Sequence, residues 1–254
     1  MNTDIRFTVA LALGILALPP LVRADEEPTS STTAGVESDA NDGVAFQALG
    51  SFFSRYELRR NYTIDSDLVR YRARFGLETT EFRLLDGPQL KLVFLPQAAG
   101  YWHLGGDGLD HPDLSLYEGY SQLTWTGAKL QVGRFAMSYG DQLVIGTVGW
   151  HEAGRSFDGT RVLFEFASGL RLDLFTTLLR EANADDQTGA TRSNTDLWFL
   201  GVYSQLGELV TPGLELDVYA LSRVLPGWDR ADSAADATIG VRLKQELGVV
   251  DYRV

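Results

Sequence analysis

The sequence predicts an all-β chain, an antiparallel transmembrane β-barrel behind an export leader and a short flexible arm. Three observations lead there. Leu68 to Thr79 reads L-V-R-Y-R-A-R-F-G-L-E-T, so Arg70, Arg72 and Arg74 alternate with Val69, Tyr71, Ala73, Phe75 and Leu77. A period of two makes one strand face cationic and the other apolar. That pattern recurs in about ten runs of roughly 9 to 13 residues separated by Gly, Asp, Pro and Asn clusters. The third observation is the start of the chain, where Phe7 to Leu18 is apolar and Pro19-Pro20-Leu21-Val22-Arg23-Ala24 follows. This is a secretory leader cut after Ala24, too short for a membrane helix.

After Ala24 no apolar run approaches the roughly 20 residues that a membrane helix requires. A membrane-spanning mature chain must therefore close its backbone hydrogen bonds as a barrel. Residues 25–47 hold Asp25, Glu26, Glu27, Glu37, Asp39 and Asp42 with no Lys or Arg, and are rich in Ser, Thr and Gly. They read as an acidic flexible arm, with the barrel occupying 48–254.

The strand runs follow in order. Leu49 to Arg60 sets Arg55, Glu57 and Arg59 against Tyr56 and Leu58, and Leu68 to Thr79 comes next. Leu84 to Ala98 carries a break at Asp86-Gly87-Pro88, after which Leu90, Leu92 and Phe94 oppose Lys91 and Gln97. Leu116 to Thr126 sets Tyr117, Leu123 and Trp125 against Glu118, Tyr120, Gln122 and Thr124. Ala128 to Met137 follows a tight turn at Gly127, and Thr160 to Phe166 places Val162, Phe164 and Phe166 against Arg161 and Glu165. Leu170 to Leu179 opposes Leu170, Leu172, Leu174 and Leu178 to Arg171, Asp173 and Thr177. Asp196 to Leu206 is ambiguous in phase, whereas Leu214 to Arg223 and Ala237 to Leu247 alternate cleanly.

Short connections at Gly127 and Ser168-Gly169 contrast with long ones at Gln97 to Leu114, Tyr139 to Gly159, Glu181 to Asn194 and Leu225 to Ala235. Short turns at one end and long loops at the other are what outer-membrane barrels show. Tyr117 and Trp125, on one face eight residues apart by this phase, are spaced for an aromatic girdle, about 20 Å along a normal to strands tilted about 40°. An exported soluble β-sandwich shares the alternation. Runs longer than the usual 5 to 6 or so residues favour the barrel.

Composition narrows the chemistry. The chain has 22 Lys and Arg against 34 Asp and Glu, a formal charge of -12, which argues against nucleic acid as a partner. Cysteine is absent, excluding disulfides and thiolate metal sites. His103, His111 and His151 fall in expected loops, and Asp107, Asp110, His111 and Asp113 lack the spacing of a calcium loop, so a solvated loop is the better reading. Ser138, Ser156 or Ser168 with His151 and Asp158 form no nucleophile elbow, and there is no phosphate or dinucleotide fingerprint. No enzyme activity and no cofactor are expected.

Residues 133–162 contain Gly133-Arg134, Tyr139-Gly140-Asp141, Ile145-Gly146, Trp150 and Arg155-Ser156-Phe157-Asp158-Gly159. This segment resembles the family of alginate-export outer-membrane barrels, and Arg55-Tyr56-Glu57 and Arg72-Ala73-Arg74 on the early strands agree in kind. The resemblance implies a bacterial outer-membrane channel passing an anionic polysaccharide or small anions passively, with outer-membrane lipid and periplasmic export components as partners. It also implies a barrel longer than this chain, of which Leu49 to Val254 would be the N-terminal part.

Read from the residues, the segment is a strand, an inward-folded loop and a strand. Arg134 shares parity with Leu130 and Val132, so a bulge or a strand end is needed to re-aim it inward. Arg134, Arg155 and Arg161 are then placed to pair with Asp141 or Asp158 and pin the loop, or to line a constriction. The expected path residues are Arg55, Arg59, Arg70, Arg72 and Arg74 on the early strands, with Arg134, Tyr139, Asp141, Arg155, Asp158 and Arg161 near the constriction. Glu57, Glu118, Glu165 and Asp173 share the polar face, so the arginines are expected to be partly neutralised by wall carboxylates. A nonconducting scaffold or adhesion barrel with a plugged interior is the alternative.

Overall fold

A computed structural model describes residues 7–9, 44–60, 65–83, 87–103, 113–151, 153–180, 196–206, 213–225, 234–247 and 250–253. The expected leader and acidic arm lie outside these residues, apart from 7–9 and 44–47, and so do the acidic cluster at 105–112 and the long connections at 181–195 and 226–233.

The described chain is all-β: β1 (Phe7–Val9), β2 (Phe46–Arg60), β3 (Asp65–Thr79), β4 (Phe82–Arg83), β5 (Gln89–His103), β6 (Asp113–Trp125), β7 (Ala128–Phe135), β8 (Phe157–Glu165), β9 (Arg171–Arg180), β10 (Leu197–Gln205), β11 (Leu214–Leu225), β12 (Ala234–Leu247) and β13 (Val250–Arg253). They form an antiparallel sheet in which hydrogen-bonded neighbours follow chain order, with β4 set aside on β5. The ladder is open, because among the described residues β13 does not return to β1 or β2. Nearest-neighbour pairing is what tight turns between antiparallel strands dictate. The strands are long: β2, β3 and β5 each have 15 residues.

The contacts divide the chain into two units. In the first (1–80, 93–119 and 147–155), β2 and β3 pair without a register shift from Phe46↔Thr79 to Arg60↔Asp65. Period two then puts Arg55, Glu57, Arg70, Arg72 and Arg74 on one face. Phe52, Phe75, Leu77 and Phe94 lie on the other and are exposed, Phe75 by 73%.

In the second unit (81–92, 120–146 and 156–254), Phe135, Met137, Tyr139, Ile145, Phe157, Phe175, Tyr203 and Leu221 form a core on the polar face of β7 to β11. The opposite face leaves Val132, Leu174, Trp198, Leu200, Val202, Val218, Ile239 and Val241 exposed. Gly201 and Gly240 make room for this core. A Cβ on Gly201 would come within 2.2 Å of the Phe175 ring, and one on Gly240 equally close to the Tyr219 ring.

Four sequence expectations are revised here. β4 ends at Arg83 and β5 starts at Gln89, and β5 runs on through Ala98 to His103, so His103 ends a strand instead of lying in a loop. Thr160 to Phe166 begins earlier, at Phe157. The ambiguous run resolves with Trp198, Leu200 and Val202 on the exposed face and Tyr203 in the core. Tyr117 is buried while Trp125 is exposed, and Gln122, of opposite parity to Tyr117, is buried too. The alternation therefore slips within β6, near Gly119, and the two aromatics do not form a girdle on one face.

Candidate functional site

In the first unit, alternation on β2 and β3 brings four guanidinium groups together. Arg55 and Arg70 are direct cross-strand partners, as are Ser51 and Arg74, and Phe53 and Arg72. Like charges opposed on a sheet repel unless something lies between them. Glu57 does so: it pairs with Arg55 and, at 3.2 Å, with Arg70.

The same unit contains the second half of the loop, residues 147–155, and the arginines hold it by its backbone. Arg55 donates to the Trp150 carbonyl at 2.6 Å, and Arg72 donates to the Gly149 and His151 carbonyls at 3.2 and 3.0 Å. Arg74 donates to Gln97 at 3.1 Å, and its guanidinium carbon lies 3.1 Å from the centre of the Tyr117 ring. Gln97 passes the link on, donating to the Ala153 carbonyl at 2.8 Å and to the Ser115 hydroxyl at 3.1 Å.

Two backbone features mark this half-loop as tightly determined. Gly154 has φ +69°, and a Cβ there would lie 2.4 Å from an Arg74 nitrogen. Val148 sits at φ +52°, where a β-branched side chain is strained. His151 acts structurally, its Nδ1 accepting the Ala153 N–H at 3.2 Å.

The second unit holds the Tyr-Gly-Asp element. Tyr139 N–H donates to the Ile145 carbonyl at 3.1 Å and Gln142 N–H to the Tyr139 carbonyl at 3.0 Å, which closes the turn. The Tyr139 ring stacks on Tyr203 at 4.2 Å and 13°, and its hydroxyl donates to the Asp173 carboxylate. Arg161 also donates to Asp173, from Nε at 2.6 Å, and its guanidinium lies 5.5 Å from the Tyr139 ring centre. Burial pushes the Tyr139 phenol well above its ordinary value, with the Arg161 cation opposing and the Asp173 carboxylate adding to the shift.

Beside it, Arg242 gathers three carboxylates: Asp141 at 2.9 Å, Glu215 at 3.0 Å and Asp217 at 3.0 Å. Asp217 also accepts the Tyr203 hydroxyl at 2.7 Å. Gly140, at φ +50°, lets the turn lie flat on this cluster, since a Cβ there would meet Arg242 Cδ at 2.6 Å.

No family model, curated protein or solved structure matches the chain.

Of the expected path residues, Arg55, Arg70, Arg72 and Arg74 share one polar face, and Tyr139, Asp141 and Arg161 meet on the other unit's polar face. Arg59 is placed by its backbone, opposite Ser66. Arg155 contributes its N–H to the Thr147 carbonyl at 2.7 Å and leaves its side chain exposed. Arg134 is not re-aimed inward. β7 and β8 pair without a shift through Val132↔Thr160, Gly133↔Gly159 and Arg134↔Asp158, so Arg134 and Asp158 stay on the exposed apolar face, joined by an Nε to Oδ1 bond of 2.7 Å. Arg161 takes Asp173 instead of Asp141 or Asp158, and Asp141 takes Arg242.

Sequence reasoning missed Arg242, Asp217 and Glu215 as site residues. Their phase on β11 and β12 was readable, but the Arg242 bond to Asp141 spans 101 residues, beyond any local pattern. Among the described residues no group of His, Asp or Glu side chains is arranged to hold a metal ion.

Proposed function

We propose that the chain forms wall of a bacterial outer-membrane β-barrel, similar to the alginate-export family, that passes anionic saccharides or small anions passively. The observation that carries the membrane reading is the exposed apolar face of each unit, with Phe75 at 73% and Ile239 at 81% exposure on strands whose other face is polar. Water penalises such a face by roughly 25 cal/mol per Å², whereas lipid accepts it. The backbone argument adds closure, since an open ladder edge is not tolerated in hydrocarbon.

The anion reading rests on Arg55, Arg70, Arg72 and Arg74 sharing one face, with planar guanidinium forks suited to carboxylates. Carboxylates crossing such a surface exchange hydration for charge-assisted hydrogen bonds. In the present conformation Arg55 and Arg72 hold the carbonyls of Gly149, Trp150 and His151, so anion passage past them requires the half-loop to yield. The same bonds favour the second reading, a nonconducting barrel plugged by its own loop. Planar-bilayer conductance separates the two. An anion-selective current that loses selectivity in the Arg72→Ala/Arg74→Ala variant supports the channel; a cation-preferring current overturns the anion reading, and a silent protein supports the plug.

A further inference from the structure

Within the first unit, Arg74 is held differently from the arginines beside it. Arg55 and Arg70 pair with Glu57, and Arg72 donates to the carbonyls of Gly149 and His151. The close partners of Arg74 are neutral: its Nε donates to Gln97 Oε1 at 3.1 Å, and its guanidinium lies over the Tyr117 ring. Its Nη2 is buried and has no hydrogen-bond partner. A charged donor withdrawn from water without an acceptor is costly, and its presence in a well-ordered wall asks for a reason.

The reason lies in what covers it. Gly154, at φ +69°, rests its α-carbon on Nη2, and a Cβ there would overlap that nitrogen. An α-carbon accepts nothing. The preceding residue does accept, since the Ala153 carbonyl takes an N–H from Gln97 Nε2 at 2.8 Å. Two donors, Arg74 Nη2 and Gln97 Nε2, thus flank the bond between their own side chains, and two consecutive loop residues cover both. One donor has a neutral oxygen and the other has none. A carboxylate brings two oxygens and a charge, and an ionised acceptor on an ionised donor bonds about twice as strongly as a neutral one.

We propose that Arg74 and Gln97 form a carboxylate-binding subsite that Ala153 and Gly154 cap, the Ala153 carbonyl standing where one ligand oxygen goes. The proposal rests on the anion reading above and adds its regulation: a saccharide carboxylate and the seated cap exclude each other, so the ligand competes with the protein's own loop. Ser115, whose hydroxyl accepts from Gln97 Nε2 at 3.1 Å, keeps the amide oriented when the cap lifts. Strain at Val148, φ +52°, lowers the cost of lifting it.

The test is equilibrium dialysis of radiolabelled glucuronate, with glucose as the neutral control, against the full chain in nanodiscs, folding being verified by heat-modifiable migration. Saturable binding of glucuronate and none of glucose is expected. Arg74→Gln weakens it about tenfold or more, as loss of a hydrogen bond to a charged group implies. Gln97→Glu, which keeps the size and the acceptor facing Arg74 but fills the subsite with its own carboxylate, abolishes it. Gly154→Ala unseats the cap and binds several-fold tighter, because a larger fraction of the protein is open. Equal affinity in the parent and Arg74→Gln overturns the subsite, as does absence of binding in both the folded parent and Gly154→Ala. Binding by Gly154→Ala no tighter than by the parent overturns the cap. Anion-selective conductance without glucuronate binding overturns this inference and leaves the channel standing, whereas Arg74-dependent binding in a protein that conducts nothing overturns the channel alone.

Discussion

The two halves of the loop between β7 and β8 are anchored by different chemistry. Residues 136–146 present side chains: Tyr139 stacks on Tyr203 and donates to Asp173, and Asp141 pairs with Arg242. Residues 147–155 present backbone carbonyls, which Arg55, Arg72 and Gln97 collect. A side-chain anchor depends on the identity of the loop residue; a carbonyl anchor depends on the loop's path and on the donor across from it. The first half is therefore sensitive to side-chain replacement in the loop as well as in the wall, and the second chiefly to replacement in the wall.

The largest effect is expected at Arg242. Its replacement by Ala leaves Asp217 buried against Tyr203 without its cation and releases Asp141, a loss of about 3 to 5 kcal/mol. The midpoint of heat-modifiable migration reads it. A smaller loss, about 1.5 to 3 kcal/mol, is expected for Tyr139→Phe, which keeps the stack and removes a hydrogen bond to a charged group.

That variant also carries a pH signature. The folded Tyr139 phenol titrates above its unfolded value near pH 10, so its stabilisation is complete below about pH 10 and is lost as pH rises through the folded value. The gap between parent and Tyr139→Phe, measured by urea unfolding at successive pH values, should narrow only in the alkaline range.

In the second half-loop, Val148→Gly removes backbone strain and should stabilise the protein by about 1 kcal/mol, read from the same midpoint. The smallest effect is Trp150→Ala. Its carbonyl still accepts from Arg55, and an exposed cation–π contact at 5.8 Å and an edge-on contact with the His151 ring at 5.7 Å are lost, together about 1 kcal/mol or less. A loss at Trp150 matching that at Tyr139 would break the comparison.

The same contrast explains what was legible in the sequence. Strand faces were readable because alternation is local, and Arg70, Arg72 and Arg74 fall on one face as their spacing requires. Tyr139 and Asp141 were singled out because an aromatic and a carboxylate flanking a glycine are distinctive, yet their partners Asp173 and Arg242 lie far along the chain. The carbonyls of Gly149, Trp150 and His151 carry no sequence signal, since every residue has one. Tyr117 was misplaced for a local reason: alternation slips near Gly119, where an added Cβ would come within 2.6 Å of the Leu116 side chain. An isolated glycine inside a strand pattern is the signature of such a slip. Arg134 was expected to be re-aimed inward by a bulge or a strand end, but the unshifted β7–β8 register keeps it on the apolar face with Asp158.

Whether the apolar face meets lipid can be tested directly, because the chain has no cysteine. Single cysteines at Arg74 and Phe75 on β3, and at Val241 and Arg242 on β12, can be challenged in proteoliposomes with a water-soluble maleimide and with a lipid-confined one. Alternation is expected: Phe75→Cys and Val241→Cys react with the lipid-confined reagent, and Arg74→Cys and Arg242→Cys do not. Uniform protection of all four positions from the lipid-confined reagent, with Phe75→Cys and Val241→Cys open to the aqueous one, would contradict it.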